Sequence, residues 1–194
     1  TALRERLTAY SSLSSTFTSG MDIATTLAEG RIKQNIDRVR ESIGSNTAQL
    51  TLLMHMVLRG TDREQQMASW VLSEVCDDRP ELAKSWTGQM LSLLDEPLHQ
   101  GTHRNIIRSF QFMELPQRHH GMITDKMMAI LADPYQPIAS RAYAITVAMR
   151  MVQLYPELAT EMKLLIAEVL RVDPDPAVRS RAIKARKKLE RFRS

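Results

Sequence analysis

Arg179, Arg181, Lys184, Arg186, Lys187, Lys188, Arg191 and Arg193 stand against a single acid, Glu190, in residues 177–194 of a 194-residue chain. This segment carries +7 while the whole chain carries +4, which leaves residues 1–176 at −3 and makes the basicity local. At helical spacing Lys184, Lys187 and Arg191 share one face, with Arg181 at its edge. Such a face can hold phosphates or the carboxylates of an acidic partner. It can equally serve as a solvated cap on a helical array, because cations near a helix C-terminus are favoured by the macrodipole.

Other reactive residue types offer less. His99 and His103 are four apart, the helical spacing of two metal ligands, but Gly101 lies between them and Pro97 just before, so the pair straddles a corner. His119 and His120 point about 100° apart on a helix, and His55 lies in an apolar run that suits a hydrogen-bonded core histidine. Neither a metal site nor a cofactor is expected. Cys76, the one cysteine, excludes an intrachain disulfide and a multi-cysteine zinc site, and its helical pattern buries it. Gly-rich phosphate loops, a Gly-x-Ser-x-Gly elbow and a His-Glu-x-x-His motif are all missing from the sequence. The twelve methionines suit a core of irregular gaps between tilted helices. Trp86, in step with Leu82, Met90 and Leu93, is expected in that core, whereas Trp70 flanks an apolar stripe and is expected to be partly exposed, a candidate contact residue.

The elements that must position these residues are marked by proline. Pro80, Pro116 and Pro156 open one kind of segment at spacings of 36 and 40, and Pro97, Pro134 and Pro174 open another at 37 and 40. Proline fixes φ and lacks an N–H, so it is tolerated where a helix starts and disfavoured inside one. A period of this length denotes a solenoid of paired helices. Four hairpins are expected, over 46–59 with 63–77, 81–94 with 101–114, 117–132 with 138–154, and 157–171 with 176–193. Ahead of them, Met21 to Ile43 reads as one long capping helix with Ile23, Leu27, Ile32, Ile36, Val39 and Ile43 apolar. Within the last two hairpins Ile138, Ala142, Ile145, Met149 and Val152 recur forty residues on as Val178, Ala182, Ala185, Leu189 and Phe192.

Asp173-Pro174-Asp175-Pro176-Ala177-Val178-Arg179, followed by Ala182 and Leu189, resembles the second-helix signature of HEAT repeats: an Asp in the turn, a Val-Arg pair, then small and apolar residues. The resemblance covers residues 130–194, and periodicity extends it over 45–130. It implies an all-α, right-handed α-α superhelix of HEAT or armadillo type that binds macromolecules along its concave face. It also implies that Arg104, Arg141 and Arg181 form a column tying each repeat to the next, with Asp95, Asp133 and Asp173 as acceptors; otherwise the column contacts a ligand, joined by Arg108 and Lys184. A non-catalytic scaffold for a protein partner is the expected function. The alternative is a nucleic-acid-associated protein, in its most specific form a relative of the DNA alkylation-repair glycosylases that uses residues 177–194. Against that form, the aromatic and acidic cluster those enzymes place around a damaged base cannot be assembled here.

Residues 1–20 differ in kind. Seven of the nine residues from Ser11 to Ser19 are Ser or Thr, a composition that cannot form a core and competes with helix through local side-chain hydrogen bonds. A flexible arm is expected there and a single solenoid domain over 21–194, whose 43% hydrophobic residues suffice for a continuous core. With no apolar run fit for a secretory signal or a membrane span, a cytoplasmic protein without membrane contact is expected. Deleting residues 1–20 is expected to shift the melting temperature by less than about 2 °C, since a domain of this size moves about 2–4 °C per kcal/mol; a larger drop in thermal unfolding would show that the arm is packed.

Overall fold

The computed structural model describes residues 23–29, 33–44 and 47–192. The described residues contain α-helices, short 3-10 turns and connecting loops, in the order α1 (Ile23–Ala28), α2 (Lys33–Ile43), α3 (Thr47–Arg59), α4 (Asp62–Asp78), α5 (Thr87–Leu93), α6 (Gln100–Ser109), α7 (His120–Ala132), α8 (Ile138–Leu154), α9 (Ala159–Val172) and α10 (Pro176–Leu189). The fold is a HEAT-type α-solenoid. Two compact units divide the chain, 1–71 and 72–194. The arm expected over residues 1–20 lies outside the described residues.

In the N-terminal unit α1 packs on α2 and α3, and α2 on α3. Ile23, Leu27, Ile36, Val39, Ile43, Leu53 and Val57 are buried together with Ala68 and Val71. The stretch expected as one helix from Met21 to Ile43 is therefore two. Ala28 ends the first of them with Glu29 in a turn, and the two short helices bury their apolar residues on each other as one rod cannot. At the end of α2, Gly44 has a φ of 41°, the left-handed conformation that stops a helix at low cost for glycine. The α3–α4 corner is as tightly specified. A Cβ on Gly60 would lie 2.5 Å from the Met56 carbonyl oxygen, and Thr61 and Glu64 cap α4 reciprocally, with the Thr61 N–H donating to Glu64 Oε2 at 2.7 Å and the Glu64 N–H to Thr61 Oγ1 at 3.4 Å.

In the C-terminal unit α8 packs against α6, α7 and α10, while α9 packs against α10 and α7. Second helices of successive hairpins thus form one layer, α6–α8–α10, with α8 in the middle. Its sequence accords with that place: Ala142, Ala144, Ile145, Val147, Ala148, Met149, Met151 and Val152 are all buried, apolar on nearly every side as a helix must be when neighbours cover it. Ile138, expected on the stripe, is 51% exposed because it is the first residue of α8 and stands in the corner. Trp86, expected in the core, is half-buried: residues 84–86 form a 3-10 turn ahead of α5, so the helical register linking it to Met90 does not hold.

The corners use the expected chemistry with local variations. Asp175 caps α10 by accepting from the Ala177 and Val178 N–H groups at 2.8 and 3.4 Å, with Pro176 at the first helical position. Asp133 instead folds its own turn, accepting from the Tyr135 N–H at 2.9 Å and from Gln136 Nε2 at 3.1 Å. Asp95 pairs with Lys126. Of the expected arginine–aspartate ties, the structure makes the one between Arg141 and Asp173, at 2.5 Å, with Arg141 only 5% exposed. This contact is ionic rather than an aligned hydrogen bond, since Asp173 Oδ2 lacks a donor in hydrogen-bond geometry. Breaking such a pair leaves a lone buried charge, so Arg141→Ala is expected to cost about 3–5 kcal/mol in denaturant unfolding, whereas Arg141→Met combined with Asp173→Leu is expected to recover most of that loss. Equal losses in the single and double variants would show that the pair is not coupled.

Candidate basic groove on the second-helix layer

The layer's outward face is built from three parallel helical stripes. Arg104 and Arg108 lie on α6 with Gln111 just beyond it, Tyr143, Thr146 and Arg150 on α8, and Arg181, Lys184 and Lys188 on α10. Each set follows three- and four-residue steps, which keep side chains on one face of a helix. Between the α8 and α10 stripes runs a groove of about 570 Å³, floored by Ile145, Met149 and Ala185. Arg150, Arg181, Lys184 and Lys188 stand along it, and no carboxylate of the described residues lines it. It is therefore electropositive.

Two of its four cations are held rigidly. Arg150 donates through Nη1 to the Phe110 carbonyl at 2.5 Å and through Nη1 and Nη2 to the Met113 carbonyl at 3.1 Å, anchoring the end of α6 to α8. Burial lowers its pKa, as desolvation disfavours a cation. Arg181 reaches across α8, donating to Thr146 Oγ1 at 2.7 Å and to Gln111 Oε1 at 3.2 Å while its guanidinium lies 4.8 Å from the Tyr143 ring centroid. Lys184 and Lys188 are exposed and make no hydrogen bond or ion pair with the described residues.

The residues singled out from sequence are dispersed by the fold. Lys184 lies between the groove and a second concavity at the corner lined by Pro174, Pro176, Ile183 and Lys187; Lys187 thus faces the other side of α10, and Arg191 is exposed beyond its end. Arg141 is inaccessible, in its pair with Asp173. Arg108 is half-buried and bonded to Ser73 and Glu74 at 2.6 and 2.8 Å, with Asp77 at 3.7 Å and its guanidinium 5.3 Å from the Phe112 centroid, so its charge is already answered. Arg104 is exposed and makes no such tie to Asp95 or Asp133. Trp70 is half-buried on α4, in the N-terminal unit.

The arginine column fails for a definite reason. Arg141 is the fourth residue of α8, and its guanidinium also lies 3.5 Å from the Leu131 carbonyl at the end of α7. The fourth residue of α10 is Arg179, which donates to the Leu170 and Asp173 carbonyls at 2.6 and 3.1 Å. Cations are favoured at a helix C-terminus, where carbonyls lack partners. Because α10 begins two residues earlier relative to its apolar stripe, Arg179 takes the role of Arg141, and Arg181 is left to line the groove. Arg150 was missed by sequence reasoning. Its signal, a lone cation in the otherwise apolar run from Val147 to Val152, was present in the chain.

A match to the family model described as HEAT repeat domain extends over residues 23–189. The chain belongs to the HEAT-repeat family. HEAT repeats generally act as protein-interaction scaffolds, and the match takes in α1 and α2 as well as the later hairpins. No curated protein and no solved structure matches the sequence.

The histidines and the cysteine have structural places. The His99 ring caps α6, accepting from the Gly101 N–H at 3.0 Å, while His103 Nδ1 lies 2.8 Å from Ser140 Oγ across the α6–α8 seam, so the two do not converge. His120 donates from Nε2 to the Leu115 carbonyl at 2.8 Å and meets the Tyr155 hydroxyl at 2.9 Å. Among the described residues no group of three or more His, Cys, Asp or Glu is placed to hold a metal. Burial pushes the Cys76 thiol up to about 12, far from nucleophilic thiolate chemistry. Burial also depresses the His103 pKa below its ordinary value of 6.5. A histidine depressed on folding takes up its proton in the unfolded chain first, so its contribution to stability is expected to fall as pH drops from about 6.5 toward the folded-state value. His103→Gln is expected to flatten the pH dependence of the denaturation midpoint in that window, and an unchanged slope would refute the assignment.

Proposed function

We propose that this chain is a non-catalytic scaffold that holds a protein partner on the outward face of the α6–α8–α10 layer in its C-terminal unit. The carrying observation is the α8–α10 groove, whose four cations meet no carboxylate among the described residues, while Arg108 elsewhere on that face is already paired with Glu74 and Asp77. Surface charge left unanswered beside a rigid wall raises the local concentration of an oppositely charged partner and speeds its association. Family membership supports the same reading, since protein interaction is the general role of HEAT repeats.

A second reading, nucleic-acid association, is favoured by one feature: Lys184, Arg186, Lys187, Lys188 and Arg191 are all exposed on the last helix and its exit. The two readings differ in what the groove touches. With a photo-reactive benzoylphenylalanine at Gln153, which is exposed on the groove rim, irradiation in the cells that make this chain is expected to trap a protein, and the same group at Leu164, exposed on α9, is expected not to. Nucleic-acid adducts at Gln153, or identical adducts from both positions, would defeat the scaffold reading.

A further inference from the structure

Resting on the scaffold reading, we propose that the α8–α10 groove selects an acidic peptide segment of the partner, with two carboxylates about one helical turn apart and an apolar side chain between them. The division of labour among the four cations carries this. The N–H groups of Arg150 that face Phe110 and Met113 are taken by backbone carbonyls, and Arg181 is committed to Thr146 and Gln111. Both guanidiniums therefore contribute positive potential from fixed positions, with no rotamer entropy left to lose on binding. Paired recognition of phosphate draws on the planar fork of an unoccupied guanidinium; here Arg150 has both Nη atoms, and Arg181 its Nη1, engaged by the protein itself.

The free donors are of another kind. Lys184 and Lys188 are compact ammonium groups one turn apart, about 6 Å along the axis, and Ser180 adds an exposed hydroxyl on the same wall. Ammonium groups act as point charges and satisfy single carboxylate oxygens without a planar match. Ile145, Met149 and Ala185 floor the groove, so the space between the two ammonium groups is apolar. A sugar–phosphate backbone has no side chain to place there, whereas a peptide does. The volume, about 570 Å³, falls within the roughly 300–1,000 Å³ of sites that enclose a small ligand or a few side chains.

The test is selection from a random peptide library displayed on phage, with the full chain as bait, followed by fluorescence anisotropy of the winning peptide and of a 20-base-pair duplex DNA. Enriched peptides are expected to carry Asp or Glu pairs two or four positions apart flanking an apolar residue. Lys184→Glu with Lys188→Glu is expected to weaken the winning peptide by at least about tenfold, since two exposed pairs are lost and two repulsions added. Leu164→Glu on α9 is expected to leave it unchanged, and thermal melts of both variants establish that each is folded. Enrichment of peptides without acids, or binding indifferent to the charge reversal, would overturn the acidic-segment inference and leave the scaffold reading standing. No enrichment, together with duplex DNA binding lost on the charge reversal, would overturn both.

Discussion

The end of a helix is the constraint on which this molecule turns. Every α-helix leaves its last carbonyls unpaired, and in a stacked repeat those ends are covered by the next element. Arg141 meets that demand by lying against the Leu131 carbonyl while pairing with Asp173, so one buried guanidinium links α7, α8 and the corner after α9. Arg179 meets it for α9, and Arg150 does the same for the turn after α6. Helix ends joined in this way fix the register of one hairpin on the next more closely than apolar contact alone, which is nondirectional.

That register decides which side chains share a surface. Tyr143, Thr146 and Arg150 face outward because the rest of α8 is needed on three sides, by α6, α7 and α10. Once α8 is so placed, Arg181 on the adjoining helix has Thr146 and Tyr143 within reach and Gln111 beyond them. This contact ties three successive hairpins along their exposed face. The groove's rigid charges are thus by-products of how the repeats are held together, while Lys184 and Lys188 are exposed and make no hydrogen bond or ion pair with the described residues. Substitution at the lysines is expected to leave the fold undisturbed, as changes at exposed positions usually do.

Much of the fold was legible in the chain. Pro80, Pro97, Pro116, Pro134, Pro156 and Pro174 all stand at helix boundaries, and the apolar stripe from Ala142 to Val152 is buried as its spacing requires. The basic groove was legible only in part. Lys184 and Arg181 were found by counting charge, but Arg104, Arg108 and Arg141 were grouped with them on the assumption that equal positions in a repeat have equal fates. A shift of two residues in where α10 begins was enough to break that equivalence.

Proline placement, capping residues and apolar period act within a few neighbouring residues, so the sequence by itself determined the helices, their corners and the repeat that joins them. Partner choice for a long charged side chain spans thirty to seventy residues here, as with Arg108 and Glu74 or Arg181 and Gln111. Which arginines are spent inside the protein and which cations remain for a ligand was decided only by the tertiary structure, because a guanidinium can satisfy any acceptor within reach and the packing of neighbouring helices sets that reach.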